Sequence, residues 1–442
     1  MLLTAFGIVF VLLILSTIFD LFILYPLLIA LFLFGVIAVK RGWKPADVMK
    51  MLLKGALKTW PVVQIFTLIG ILIGLWFSAG SIAWIVYNGL SLMIPELFIL
   101  FAFILSVIVS FLLGTSFGTV GTIGVILMIM ARTGDIAPAP LVGAIIAGAY
   151  VGDRNSPMSS SAHLVATLTK TDIYINIKNM FKTSFIPLLC ATLFYLVISL
   201  NLPFKPGETE IIGHIPESFN LSLWNMTPVL TLIILVITKI NVKTAMIISS
   251  LNAFLVSLFF QHMEFVTLLR TMVFGFELNN ADPLFDIFRG GGIMMMFNAM
   301  LIVLASSAFA GLFEHTDLIV SFERKIEGLT GKTSPFFSAV VTSVITASLG
   351  VTQALSIIMS EQLLKKPYEI QNRDKYDLAL DIADSAVLLS VAIPWNVAGL
   401  IPAKMLGYDA RFIPFACFLF FVPGFRLLLD FKRRKAKSNE RT

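Results

Sequence analysis

The feature that most limits how this chain can fold is a set of long stretches without any Asp, Glu, Lys or Arg. Residues 21–39, 184–200, 244–260 and 293–313 form four such stretches of 17–21 residues. About 20 apolar residues in a helix cross the hydrocarbon core of a bilayer, whereas the strands of membrane β-barrels alternate in polarity. The whole chain is 58% hydrophobic and only 13% charged. The sequence therefore predicts an all-α polytopic membrane protein with about 10–12 transmembrane segments.

Several other classes of protein are disfavoured by what the sequence contains. Cys190 and Cys417 lie inside apolar runs without metal-ligand spacing, so we expect neither a disulfide nor a redox role. No phosphate loop, dinucleotide fingerprint, zinc motif or nucleophile elbow is present, so we expect neither an enzyme nor a bound cofactor. The net charge of +6 comes from basic residues at helix ends. That placement indicates a lipid bilayer as the partner, and not nucleic acid.

The distribution of charge predicts the orientation in the cell (inner) membrane and the limits of five regions. Basic residues cluster at 40–58 and 432–441, whereas the loop at 202–221 carries Glu208, Glu210 and Glu217. By the positive-inside rule both termini are cytoplasmic and this loop is external. We predict an N-terminal helix pair with an amphipathic helix (1–58) and a first repeat (59–201). An external loop with a linking helix (202–243), a second, inverted repeat (244–430) and a basic tail (431–442) follow.

Two uncharged runs, 97–131 and 333–360, are too long for one simple span each. Small and polar residues interrupt them at 114–121 and at 348–353. Non-helical backbone survives at membrane depth only where protein or a wet cavity satisfies it. Both runs therefore predict re-entrant or broken helices. Two ordinary spans joined by a short loop remain the alternative.

A second pair of interruptions, at 150–157 and 390–396, repeats the spacing of the first pair. Thr115 precedes Pro157 by 42 residues, and Thr352 precedes Pro394 by 42, so the two halves match at an offset of 237. Amphipathic stretches at 45–58 and 262–276 lead into the two halves from opposite sides of the membrane. Matched interrupted helices in opposed halves are typical of transporters with inverted repeats, and their binding sites lie at the breaks.

The residues around these breaks are the candidates for binding a substrate or an ion. Asp153 and Asp384 are acids inside apolar segments, where a charge is costly and usually functional. Oxygen ligands suit Na⁺, which we place near Asp153, Asn155, Ser156 and Asp384. The full set of candidates is Thr115, Ser116, Asp153, Asn155, Ser156, His163, Thr352, Gln353, Asp384, Ser385 and Asn396.

Structural explanations for several of these candidates stay open. Asp153 is followed by Arg154, so the two could form a structural ion pair. Serine and threonine at helix ends are ordinary caps, and hydroxyls inside membrane helices often bond their own backbone. His163 could titrate during transport or bind a substrate carboxylate; a purely structural histidine is an equal alternative.

At these residues the chain resembles the NhaC family of the ion-transporter superfamily over most of its length. The motifs that carry the resemblance are GTSFGTVG at 114–121, GDRNSP at 152–157 and IPWN at 393–396. The resemblance implies a scaffold region and a mobile transport region, built from inverted repeats whose hairpin tips meet in mid-membrane. It also implies coupling to Na⁺ or H⁺ and assembly as a homodimer.

The chain departs from that family at three positions. Members tend to carry acids where this chain has Ser160, Thr352 and Ala383, so fewer groups can exchange a cation for a proton. We therefore expect secondary active transport, in which Na⁺ or H⁺ drives uptake of an amino acid or small organic solute by alternating access. The alternative is an Na⁺(Li⁺)/H⁺ antiporter. A gated channel is disfavoured, because two opposed hairpins suit alternating access.

Overall fold

The computed structural model describes residues 2–19, 21–206, 213–279, 282–316 and 333–439, which fold almost entirely into helices. The helices of the first half are α1 (Leu2–Ile18), α2 (Leu24–Lys40), α3 (Pro45–Leu57), α4 (Trp60–Ser78), α5 (Ser81–Leu92), α6 (Phe98–Leu113), α7 (Ser116–Thr119), α8 (Val125–Arg132), α9 (Pro138–Asn155), α10 (Ser160–Thr169) and α11 (Ile173–Asn201). A π-helical turn, Val120–Gly124, joins α7 to α8. The strands β1 (Gly134–Asp135) and β2 (Lys205–Pro206) pair antiparallel.

The second half of the chain continues in the same way. Its helices are α12 (Ile215–Ser218), α13 (Thr227–Ile237), α14 (Val242–Phe259), α15 (Phe265–Phe274), α16 (Gly292–His315), α17 (Pro335–Gly350), α18 (Gln353–Ile370), α19 (Lys375–Asp384), α20 (Ala386–Leu389), α21 (Val397–Met405) and α22 (Phe418–Asn439). Short 3-10 turns stand at Pro95–Leu97, Leu223–Met226, Ser390–Ala392 and Ala410–Phe415.

Several of these helices have the length and composition of membrane spans. Among the described residues, five are long and apolar enough to cross a bilayer by themselves, and a pair bent by 52° at the second break, Lys375–Ala392 with Val397–Met405, could form a sixth span. Shorter apolar helices of 10–17 residues, such as Pro335–Gly350, accompany them. The predicted all-α polytopic membrane protein with broken helices is confirmed.

The two long uncharged runs are each broken by the same backbone device. The helix α6 ends at Gly114, which has a left-handed φ of 65°, and extended Thr115 then caps α7. In the second half α17 ends before Val351, which has a left-handed φ of 59°, and extended Thr352 caps α18. A left-handed backbone is natural for glycine and strained for a β-branched residue such as valine. The breaks lie 237 residues apart, at the offset that the sequence predicts.

The second pair of breaks keeps the same offset. The helix α10 begins at Ser160 after the N-cap Ser159, and α21 begins at Val397 after the N-cap Asn396. Each cap side chain accepts a hydrogen bond from a backbone N–H in the first turn of its helix, which satisfies a donor that would otherwise lack a partner. Both breaks therefore occur where the interrupting residues of the sequence place them.

Each half also packs a helix against the other half through glycines. A Cβ on Gly55 of α3 would stand 2.3 Å from the carbonyl oxygen of Ser307 and 2.7 Å from the Cα of Gly311 on α16. A Cβ on Gly74 of α4 would stand 3.2 Å from the backbone nitrogen of Gly292. Gly55 and Gly292 are 237 residues apart, and so are Gly74 and Gly311. Such reciprocal contacts are what a two-fold relation between two halves produces.

The predicted limits of the five regions stay a prediction. The helix α4 begins at Trp60 and α11 ends at Asn201, close to the proposed ends of the first repeat. The helix α22, however, runs without a break through the proposed boundary at 430. Glu208 and Glu210 of the external loop, and the side chains of the basic tail from Lys432 onward, lie outside the part that the structure describes.

Candidate functional site

The candidate site forms where the first breaks of the two halves meet. Asp153 lies in the last turn of α9, and its side chain is almost completely buried. Its Oδ1 accepts a hydrogen bond from the backbone N–H of Ser116 (3.4 Å), the residue with which α7 begins after the break. The broken run in the first half thus brings a backbone donor to the carboxylate of the next break.

Two neutral side chains complete the surroundings of this carboxylate. The Oδ2 atom of Asp153 accepts from the Nε2 of Gln353 (3.2 Å), at the start of α18, and from the Oγ of Ser161 (3.0 Å). The Ser161 hydroxyl also lies 2.9 Å from the Oε1 of Gln353. Because a serine hydroxyl has one hydrogen, it donates to one of these two oxygens at a time. Gln353 joins the second half to Asp153, so both halves contribute to this site.

No basic side chain among the described residues forms an ion pair with Asp153. Its hydrogen-bond donors are a backbone N–H, an amide and a hydroxyl, and all of these are neutral. A buried carboxylate normally has a cationic partner, binds a cation or takes up a proton. This carboxylate is therefore suited to hold Na⁺ or H⁺.

Arg154 does not pair with Asp153, so the structural ion pair that the sequence left open is wrong. Its Nη2 binds the Oδ1 of Asp384, and neither side chain is exposed. Its Nε donates to the carbonyl oxygen of Ala383 (3.3 Å), and its Nη1 donates to the carbonyl oxygen of Met180 (3.1 Å). Adjacent residues on a helix point in different directions, and here Arg154 faces α11 and α19 while Asp153 faces the hairpin tips.

Asp384 belongs to a larger buried network that the sequence analysis missed. Its Oδ2 accepts from the Nη1 of Arg426 on α22 (2.7 Å), and the Nη2 of Arg426 binds Asp381. The other oxygen of Asp381 accepts from the hydroxyl of Tyr368 (2.6 Å). Two arginines and two aspartates balance each other, so this network is neutral overall, whereas Asp153 has no counter-charge among the described residues.

A signal for this network was present in the sequence. Arg426 follows fourteen uncharged residues, 412–425, and an arginine at such a place requires a partner inside the protein. Asp377, Asp381 and Asp384 follow one another at helical spacing, which places them along one side of a helix. Neither pattern identifies which of the three acids the arginine binds.

Several predicted site residues serve to fix the breaks. The Oγ1 atoms of Thr115 and Thr352 accept from the backbone N–H groups of Gly118 (3.5 Å) and Leu355 (3.2 Å). The Ser156 hydroxyl donates to the carbonyl oxygen of Phe111 (2.8 Å) near the end of α6. These bonds hold the interrupted backbone in place.

The other predicted residues contact different groups. Asn396 donates from Nδ2 to the carbonyl oxygen of Ala347 near the end of α17 (2.8 Å). Asn155 accepts a hydrogen bond from Arg154, and the Oγ of Ser385 accepts from Ser343 (2.8 Å). His163 is exposed, and its Nε2 donates to the carbonyl oxygen of Pro157 (2.9 Å). Of the eleven candidates, the structure brings Ser116, Asp153 and Gln353 into direct contact.

Comparison with known proteins agrees with this architecture. A model of the Na⁺/H⁺ antiporter family matches residues 148–431, which include the second break of each half and the whole arginine–aspartate network. The chain belongs to the Na⁺/H⁺ antiporter family. The resemblance to NhaC proteins is thereby confirmed, and this antiporter-family chain is a multi-pass membrane protein.

Individual relatives of this antiporter-family chain have more than one named activity. It is 27% identical to the malate-2H⁺/Na⁺-lactate antiporter of Bacillus subtilis (strain 168), over 96% of this chain and 92% of that one. It is 28% identical to the Na⁺/H⁺ antiporter NhaC of the same organism, over 92% of each chain. It is 25% identical to the arginine/ornithine antiporter ArcD of Halobacterium salinarum, over 78% of this chain and 73% of that one. These matches support cation-coupled antiport and do not single out amino-acid uptake.

Proposed function

We propose that this chain is a secondary transporter, and not an enzyme, in which Na⁺ or H⁺ bound at Asp153 is coupled to the movement of an amino acid or small organic solute. The observation that carries the proposal is the buried Asp153 carboxylate, to which both halves donate neutral hydrogen bonds. A group that joins two halves can change its surroundings when they move relative to each other. Binding a cation there is then coupled to the conformation of the transporter.

The neutral residues at three positions favour an organic solute as the second substrate. Thr352 acts as a helix cap and cannot carry a proton. Ala383 offers Arg154 only its backbone carbonyl, and Ser160 is exposed. Cation binding then depends on one carboxylate in this cluster. Two relatives are named for the exchange of organic solutes: malate with lactate, and arginine with ornithine.

Transport by purified protein in sealed vesicles tests this function. Under an imposed Na⁺ or H⁺ gradient, we expect one labelled amino acid or small carboxylic acid to accumulate. Na⁺ or Li⁺ added without that solute should change the fluorescence of a trapped pH dye only slightly. A full dye response to Na⁺ alone, with no solute taken up from a broad panel, would falsify this proposal.

That contrary outcome would identify the second candidate function, Na⁺(Li⁺)/H⁺ antiport. A specific observation favours it, because Asp153 is not neutralised by Arg154. The carboxylate can therefore bind H⁺ and Na⁺ in turn, which is the competition that such an exchanger needs. The relatives named as Na⁺/H⁺ antiporters add support.

We further propose that both termini face the cytoplasm of the cell, with β2 outside. The basic clusters near α3 motivate this orientation through the positive-inside rule. In a chain lacking Cys190 and Cys417, Lys205→Cys should react with an impermeant thiol reagent added to intact cells, and Lys50→Cys should not. Both positions are exposed, so access to the reagent decides the result. The reverse labelling pattern would require the opposite orientation.

A further inference from the structure

The largest cavity among the described residues lies apart from the Asp153 cluster. It has a volume of about 870 Å³ and is bounded by the α1–α2 turn, α16, α21 and the 3-10 turn at Ala410–Phe415. Its inner part reaches Pro394 at the second break of the second half. None of the groups that bind Asp153 lines it. Its apolar wall consists of Met295, Met296, Ile302, Leu400, Ile401 and Met405.

One side chain in this wall is out of place for a membrane helix. Asn298 lies in the apolar span Gly292–Phe313, is exposed, and lines the cavity. No described residue forms a hydrogen bond with its amide. An amide facing hydrocarbon without a partner costs several kcal/mol on the scale of transfer to an alkane. Asn298 is therefore satisfied only if the cavity holds water or a polar ligand.

The mouth of the cavity carries charges of both signs. Lys404, in the last turn of α21, is exposed and lines the cavity, and so does Asp409, whose carboxylate is bound by Arg411 at 2.8 Å. Amide and ammonium groups donate hydrogen bonds, and a carboxylate accepts them. The cavity thus presents donors beside a large apolar wall, which is the usual composition of a small-molecule site.

We propose that this cavity binds an organic solute with a carboxylate and an apolar body. The carboxylate accepts a hydrogen bond from the Asn298 amide, and the apolar body packs on Met295, Leu400 and Met405. This inference rests on the proposed function and adds the location and chemical class of the solute. It also separates the two substrates: the solute binds near Pro394, and the cation binds at Asp153. The solute and Na⁺ should then bind together instead of displacing each other.

Thiol protection on the purified protein tests the site. In a background lacking Cys190 and Cys417, Asn298→Cys is treated with a thiol reagent in the presence of hexanoate, leucine, acetate, glutamate or arginine. We expect hexanoate or leucine to slow labelling about tenfold when they are in tenfold excess over their dissociation constant. Acetate lacks the apolar body, so we expect it to protect little. The matched control is Phe297→Cys, at the adjacent exposed position that does not line the cavity. It should label at one rate throughout.

A second measurement separates this inference from the proposed function. Hexanoate or leucine should protect Asn298→Cys as well in saturating Na⁺ as without Na⁺, or better. Equal labelling of Asn298→Cys with every solute, or equal protection at Phe297→Cys, would overturn the site even if vesicles transport a solute. Loss of protection in Na⁺ would overturn the separation of the two sites. Protection at Asn298→Cys together with dye responses to Na⁺ alone would preserve the cavity as a binding site and reject the proposed transport.

Discussion

Replacing Asp153 by asparagine should abolish cation-driven transport and leave the protein at least as stable as the parent. The side chain keeps its shape but loses its negative charge, so it can hold neither Na⁺ nor H⁺. Since no described basic residue pairs with Asp153, the substitution leaves no cation unpaired. Removing an uncompensated buried charge is neutral or stabilising. We expect transport in vesicles to fall to background.

Thermal unfolding provides the second readout for Asp153→Asn. Na⁺ at one hundred times its dissociation constant should stabilise the parent by about 2.7 kcal/mol, and this increment should vanish in the variant. The control is Asp135→Asn, an exposed acid in β1, which should keep both transport and the Na⁺-dependent stabilisation. Normal transport by Asp153→Asn would place the cation elsewhere.

Replacing Arg154 by glutamine should have the opposite effect and destabilise the fold. The substitution leaves Asp384 with Arg426 as its only basic partner among the described residues, and Arg426 is shared with Asp381. Breaking a buried ion pair by removing one partner costs about 3–5 kcal/mol. Thermal unfolding in detergent should therefore occur at a clearly lower temperature than in the parent.

A compensating substitution tests whether charge balance is the cause. In the double variant Arg154→Gln with Asp384→Asn, one arginine again faces one aspartate, and most of the lost stability should return. Such a rescue is the coupling that a double-mutant cycle measures. Arg373→Gln serves as the control, because Arg373 forms an exposed ion pair with Asp377 and should cost at most about 1 kcal/mol. If the double variant were less stable than Arg154→Gln alone, charge balance would not explain the network.

The helix breaks could be predicted from the sequence because their causes are local. Glycine, proline and hydroxyl residues at 114–121 and 152–157 interrupt apolar runs, and those residue types act on the backbone at their own positions. The constant offset of 237 was likewise visible as a spacing. Val351 was not predictable as a left-handed residue, since valine alone disfavours that conformation.

The ion pairs could not be predicted, because they depend on how distant helices pack. The adjacency of Asp153 and Arg154 in the chain suggested a pair, although neighbours on a helix diverge. The actual partner of Arg154 lies 230 residues away on α19. Arg426 marked itself as a buried cation, but only the packing of α22 against α19 identifies Asp381 and Asp384 as its acids.

The glycine contacts between the two halves also restrict when this protein can finish folding. Gly55 and Gly311 touch across α3 and α16, yet 256 residues of chain separate them. A ribosome adding about 5–20 residues per second needs roughly 13–50 s to reach the second glycine after the first. Throughout that interval α3 lacks the surface against which it packs. Interrupted synthesis after the first half therefore leaves an unpartnered amphipathic helix, which a membrane quality-control protease can recognise.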